Sequence, residues 1–198
     1  MGTARAEARR DAARQRIVEA VFRLVVRGGV GEASLRKVAE ESGINIGSVR
    51  HYFGSHEALL VAAAEEVGAR MERRLLAAAA LPSGATAVQR RDRLEAVVRA
   101  LLPQGLDERQ ELVVLVEFIV AARLRPEFRA VADRMGADMR RVLTQALEAA
   151  GVSDSRLEAE RLAVVLEGIT FEAVYPHGSA GDPDLVAVLR HHIGSLIP

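Results

Sequence analysis

Cysteine and tryptophan are missing from this chain, and lysine nearly so, with Lys37 the only one among 27 basic residues. Without cysteine there is no disulfide, no thiolate nucleophile and no Cys-ligated zinc. Aromatic residues make up only 4% of the sequence, and alternating β-branched runs bounded by hairpin turns are lacking, which excludes a sheet-rich fold. The longest apolar run, residues 112–122, is interrupted by Glu117 and is too short to span a bilayer. Residues 1–16 are charged throughout and carry no apolar segment of the signal-peptide kind. A soluble, cytoplasmic protein with no membrane partner is therefore expected. The motifs of catalysis are missing too: no Gly-rich phosphate loop, no nucleophile elbow and no His-Glu-x-x-His. His191 and His192 are adjacent, so on a helix they diverge and make a poor metal pair. No catalytic residue, metal or cofactor is expected, and the chain does not read as an enzyme.

What is present is a helical pattern, with about half of the residues apolar and Ala, Leu, Val, Glu and Arg dominant. Residues 1–8 have no periodicity and read as a loose arm whose Arg5, with Arg9 and Arg10 just beyond, can either reach DNA or stay solvated. From Arg9 to Arg27, Ala13, Ile17, Ala20, Val21, Leu24 and Val25 recur at three- and four-residue steps, predicting an amphipathic helix that Gly28-Gly29 stops. Ser34 and Asn45 then suit the caps of two short helices separated by Gly43. Ser55 caps a long helix running to about residue 80. Capping-box patterns at Thr86/Gln89, Asp107/Gln110 and Ser155/Glu158, with first-turn prolines at Pro126 and Pro183, predict helices over 86–102, 107–124, 126–149, 155–175 and 183–196. The expected fold is all-α, with about nine helices.

Net charge is zero, yet it is unevenly spread. Residues 1–56 hold ten Lys/Arg against six Asp/Glu, whereas the remainder hold 17 against 21. A basic end on a mildly acidic body suggests that the first part alone meets a polyanion. The segment Asn45–Phe53 sits in that end. Two short helices joined by a glycine-containing turn match the helix-turn-helix design, whose second helix enters the major groove. Its inward residues are expected to be Val49 and Phe53. Its outward side carries Ile46, Gly47, Ser48, Arg50, His51 and Tyr52. Arg50 can donate two bonds to a guanine edge, His51 can donate or accept, and Gly47 permits close backbone approach. Ser34, Ser48 and Tyr52 are hydroxyl donors suited to phosphates, and Arg36 joins them as a candidate contact. The competing reading is two small helices packed on a larger bundle, with Arg50 and His51 merely solvated.

The stretch 34–60, SLRKVAEESGINIGSVRHYFGSHEALL, resembles the signature of the TetR family of bacterial transcriptional regulators. The matching residues are Ser34, Val38-Ala39, Ser42-Gly43-Ile44, Gly47-Ser48, Tyr52-Phe53, Ser55, Glu57 and Leu59-Leu60. Two positions depart from it: Arg50 stands where many members carry tyrosine, and His56 where a phosphate-contacting lysine is common. Arg-His-Tyr-Phe at 50–53 and the segment 121–128, AARLRPEF, resemble the BetI-like branch. The resemblance implies a homodimer with an N-terminal three-helix DNA-binding domain over 1–56, its motif at 34–53, and a ligand-binding and dimerisation domain over 57–198. It further implies a repressor that releases a palindromic operator on binding a small-molecule effector of unknown identity. A DNA-coating protein indifferent to sequence is the rival reading.

Within the expected ligand domain, Glu117 is the oddest residue, because a buried carboxylate is costly unless paired. It either finds a cation in the protein, lies at a helix edge, or contacts a ligand. Phe118, Phe128, Met135, Met139, Phe171 and Tyr175 are candidate pocket walls, with plain core packing as the alternative. As the resemblance implies, helices 155–175 and 183–196 supply the dimer interface, through stripes at Leu162, Val165, Leu166, Ile169 and Ala173 and at Leu185, Val188, Leu189 and Leu196.

Overall fold

Alanine at positions 4, 6, 8, 12 and 13, with no proline or glycine between Thr3 and Arg27, allows the first helix to run further back than its apolar stripe does. In the computed structural model, which describes residues 2–79, 86–100, 102, 106–176 and 185–196, α1 spans Gly2–Gly28. The loose arm expected over residues 1–8 is thus helical from Gly2, because intrinsic propensity continues the helix where periodicity stops. After a 3-10 turn at Val30–Glu32 come α2 (Leu35–Ser42), α3 (Ile46–Phe53) and α4 (His56–Ala79). The chain continues with α5 (Ala87–Arg99), α6 (Leu106–Ala122), a 3-10 turn at Pro126–Phe128, α7 (Arg129–Ala150), α8 (Ser155–Val174) and α9 (Leu185–Leu196). Among the described residues there are nine α-helices and no strand.

Two local expectations change. Pro126 opens a 3-10 turn, with α7 beginning only at Arg129. At the start of α8 the cap is Asp154, left-handed at φ 53° and making no side-chain cap bond, so the box expected from Ser155 and Glu158 does not form. Glu158 accepts from Arg161 at 2.7 Å instead. The box at Thr86 and Gln89 is present in both directions. The expected pairing of Asp182 with Pro183 lies outside the described residues.

The chain divides into two compact units, one of residues 1–68 with 107–132 and one of residues 69–106 with 133–198. This division differs from the boundary expected after residue 56: the first unit keeps α4 as far as Gly68 and takes in α6 with the turn after it. Its interior holds Ile17, Ala20, Val21, Leu24 and Val25 of α1, Val38 of α2, Val49 of α3, Leu59, Leu60, Ala63, Ala64 and Val67 of α4, and Leu112, Val114 and Phe118 of α6. Phe128 meets Phe118 edge to face, the ring centroids 5.2 Å apart. At the end of α1 the chain turns at Gly29, where φ is +76° and a Cβ would come within 3.0 Å of a Glu117 carboxylate oxygen.

In the second unit, Leu75, Leu94, Val97, Val98, Leu102, Val142, Leu143, Leu147, Leu162, Leu166, Leu189 and Ile193 form a continuous buried cluster, with Met71 and Met139 packed against it. Ion pairs fasten its surface: Arg141 reaches Glu72 and Asp138, Arg140 reaches Glu160 and Glu167, and Arg190 reaches Glu95. All are solvent-accessible and each is worth at most about 1 kcal/mol. Burial of the apolar cluster carries the unit.

Phe118 is 2% exposed, and replacing so buried a ring by alanine removes both its transfer energy and its edge contact. Phe118→Ala is expected to lower the unfolding free energy by about 3 to 5 kcal/mol in urea titrations; a change below about 1 kcal/mol would contradict this packing.

Candidate nucleic-acid interface

An eight-residue helix is too short to persist alone in water, so α2 and α3 need fastening at their ends. Ser34 Oγ accepts from the Lys37 amide at 3.4 Å, and Asn45 Oδ1 accepts from the Ser48 amide at 2.8 Å. At the far end of α2, Gly43 takes a left-handed conformation (φ 65°) while its N–H bonds back into the helix. The connection is short because Gly43 can adopt that conformation at little steric cost. The Ile44 amide donates to Ala39 O and Ser42 Oγ, closing the turn.

α1 supplies the remaining fasteners, which sequence reasoning missed. The Arg14 guanidinium donates to the carbonyl of Tyr52 at 2.7 Å and lies 4.5 Å from the Phe53 ring centroid. Arg16 donates to the carbonyl of Ser42 at 2.8 Å. Each places a cation at the C-terminal end of one short helix, where unsatisfied carbonyls and the helix dipole favour it. These bonds span 38 and 26 residues of chain, so no local pattern signals them. Arg23 and Arg27 both bind Glu41 near the end of α2.

So held, α3 buries a single side chain, Val49. Phe53, expected inside, is half-buried beneath Arg14. Gly47, Arg50 and His51 are exposed, as is Ile46 at 41%, while Ser48 and Tyr52 are half-buried. The His51 and Tyr52 rings meet at 5.8 Å. A Cβ on Gly47 would stand 3.3 Å from Asn45 Oδ1, so glycine there keeps room for the cap. Ser34 spends its hydroxyl on capping and is half-buried, and Arg36 pairs with Glu40 at 3.0 Å in an exposed i,i+4 arrangement. That pair is weak enough to be exchanged for another anion. His56 is half-buried, its Nε2 at 2.9 Å from the carbonyl of Ala33. One of its ring nitrogens is thereby committed inside the protein, tying the first residue of α4 to the approach to α2.

The remaining candidates separate. Glu117 is half-buried with its carboxylate against Gly29, in the first unit. Phe118 and Phe128 pack on each other there, 2% and 1% exposed, with the Arg125 guanidinium 4.8 Å from the Phe128 centroid. They fill that interior, which is the plain-core alternative. In the second unit Met139 packs against the core and Met135 is half-buried, while Phe171 and Tyr175 lie on the outside of α8 with centroids 5.2 Å apart. An open depression on α5, lined by Asp92, Glu95, Ala96, Arg99 and Ala100, includes none of the seven.

The expected dimer stripe also changes. Leu162, Leu166, Ile169 and Leu189 are 0%, 3%, 7% and 1% exposed, because this side of α8 and α9 faces the unit's own core. Ala173 and Leu196 are half-buried, and the Leu185 side chain lies outside the described residues. Val165 is half-buried as well, packed against that core, and of the nine residues Val188 is exposed, at 50%. The opposite side of α8 presents Leu157, Val164, Phe171 and Tyr175, with exposures of 61%, 62%, 45% and 37%. Their spacing of seven, seven and four residues makes one continuous stripe.

Residues 17–63 match the family described as bacterial regulatory proteins of the tetR family, and residues 90–198 match that described as BetI-type transcriptional repressor, C-terminal. The chain is 25% identical over 190 residues to the HTH-type transcriptional regulator PksA of Bacillus subtilis (strain 168), covering 92% of this chain and 89% of that protein. A transcriptional regulator from Rhodococcus sp. Rha1 has a similar structure, with a TM-score of 0.79, 23% identity and coverage of 92% of this chain and 95% of that one. The multidrug binding protein EbrR, crystallised with imidazole, is also similar, with a TM-score of 0.66, 26% identity and coverage of 93% and 94%.

Glu41 is held below the ordinary carboxylate range by hydrogen bonds, first from Arg23 and then from Arg27. Its contribution to the hold on α2 is present above the unfolded value of about 4.3 and is lost as pH falls through the lowered folded value. An NMR titration of the Glu41 carboxyl should give a midpoint below that value, moving back toward it in Arg23→Ala. An unshifted midpoint in the wild type would refute the double contact.

Proposed function

The chain belongs to the TetR family of bacterial regulators, with a C-terminal region of the BetI repressor type, and from that premise we propose how it meets DNA. The protein is a DNA-binding transcriptional regulator of the ligand-responsive repressor kind. Its α3 enters the major groove, where Arg50 donates to a guanine edge and His51 reads a neighbouring base, while Ile46 and Gly47 lie close to the groove wall. Ser34, Arg36, Ser48 and Tyr52 take phosphates, and His56 offers its second ring nitrogen. The observation that carries this reading is α3 itself: eight residues capped and anchored at both ends, with one buried side chain and Arg50 and His51 turned outward.

The protein acts as a homodimer on a two-fold symmetric operator. The outer stripe of α8, with Val188 of α9, meets its mate across the two-fold axis and so buries apolar surface that one protomer leaves in water. An effector bound in the second unit shifts the population toward a spacing of the two α3 helices that no longer fits the operator. The chemistry is recognition rather than catalysis. Its place of action is the cytoplasm, where a bacterium keeps its DNA; among the described residues no helix is long and apolar enough to cross a membrane.

Two variants test the two halves of this reading. Arg50→Ala is expected to weaken operator binding by about 1 to 3 kcal/mol and to relax preference at one base pair per half-site, measured by competition among operator variants; unchanged affinity and preference would remove Arg50 from base reading. Val164→Asp should move sedimentation toward the monomer and weaken operator binding with it. A dimer as tight as the wild type would place the interface elsewhere.

A further inference from the structure

The ten cations of residues 1–56 fall into two groups by what they touch. Arg14 and Arg16 hold backbone carbonyls, Arg23 and Arg27 share Glu41, Arg36 pairs with Glu40, and Lys37 pairs with Glu32. The other four are Arg5, Arg9, Arg10 and Arg50. All four are exposed and have no hydrogen-bond or ion-pair partner among the described residues. One of them is the outward arginine of α3. The other three stand on the first turns of α1, where every residue from Arg5 to Ala12 is exposed and nothing apolar is covered.

This projecting helix is placed by its own contacts. Arg14 is bonded to the carbonyl of Tyr52 at the end of α3. Arg10 precedes it by one turn on the same side, about 6 Å further along the axis at roughly 1.5 Å per residue. Arg5 and Arg9 share a second side, more than a quarter-turn round the helix from Arg10, and Glu7 and Asp11 lie nearer the side of Arg10 and Arg14. These turns bury nothing and carry three unpaired guanidinium groups against two carboxylates, Arg10 on the side that Arg14 turns toward α3 and Arg5 and Arg9 further round the helix; the neighbour their excess positive charge complements is the phosphate backbone of the duplex α3 enters.

We propose that the first three turns of α1 are a second DNA-contacting element, in which Arg5, Arg9 and Arg10 bind phosphates flanking the groove read by α3. The inference rests on the reading of α3 as the recognition helix. It adds affinity and register rather than base preference, because phosphates are the same at every step. Double-stranded DNA is the committed occupant.

The test uses the full-length protein, duplex DNA from upstream of its own coding region and a random duplex, across a salt series. Every phosphate that the protein ceases to neutralise lowers the slope of log affinity against log salt by about 0.9. Arg5→Ala/Arg9→Ala/Arg10→Ala, removing six arginines from a dimer, should therefore lower the slope by about 5. Between about 50 and 200 mM salt the variant would escape roughly 10³-fold of the weakening that the wild type suffers. The corresponding triple lysine variant should retain the wild-type slope, and base preference should be unchanged in both. Melting temperatures should match the wild type, since the three side chains bond to nothing within the protein. A wild type that does not prefer the upstream duplex sinks the α3 reading and this inference with it. A wild type that does, with equal slopes in the alanine variant, sinks this inference alone, as would a weakened dimer with the slope intact, which would assign the arm to a protein contact. Failure of the lysine variant to keep the slope would overturn the phosphate assignment.

Discussion

The apolar stripe of α1 is the constraint on which the first unit depends. Ile17, Ala20, Val21, Leu24 and Val25 are all less than 5% exposed, and at about 1.5 to 3 kcal/mol for each large side chain buried they dominate any surface ion pair nearby. α2 and α3 are each eight residues long and contribute few buried side chains of their own. Their persistence as helices therefore comes from docking on α1 and from their caps, more than from intrinsic propensity. The same stripe explains why α6 belongs with them: Glu117 comes against the glycine that ends α1, and Phe118 and Phe128 complete the interior.

α8 solves a different problem, since both of its sides are apolar. One closes the core of the second unit through Leu162, Leu166 and Ile169; the other leaves Leu157, Val164, Phe171 and Tyr175 in solvent. The chain's own core covers the first side, and the exposed stripe lies in the region that carries the BetI-type match.

Much of the fold is legible in the sequence because helix ends announce themselves locally. Ser34, Asn45, Ser55 and Thr86 with Gln89 cap where the side-chain chemistry says they should, and each is a matter of three or four residues. What stays illegible involves either a missing signal or a distant one. No breaker interrupts α1 where its apolar stripe stops toward the N-terminus, and Asp154 takes the cap that Ser155 suits because a left-handed backbone precedes α8. On α8 the period establishes two apolar sides without saying which one meets the protomer's own core, so the inner stripe reads as well for an interface as the outer one. The outward side of α3 can be read from the spacing of Val49 against Arg50 and His51. The fasteners Arg14 and Arg16 cannot, being set by tertiary approach across 38 and 26 residues.

Three of the long-range bonds that secure this DNA-reading end, those from Arg14, Arg16 and His56, terminate on main-chain carbonyl oxygens, those of Tyr52, Ser42 and Ala33. Every amino acid presents the same carbonyl. The outward residues of α3 can therefore be exchanged over generations without unfastening the helix that displays them. A lineage built this way can drift from one operator to another along a path of nearly constant stability, which makes the scaffold conservative and its vocabulary free to change.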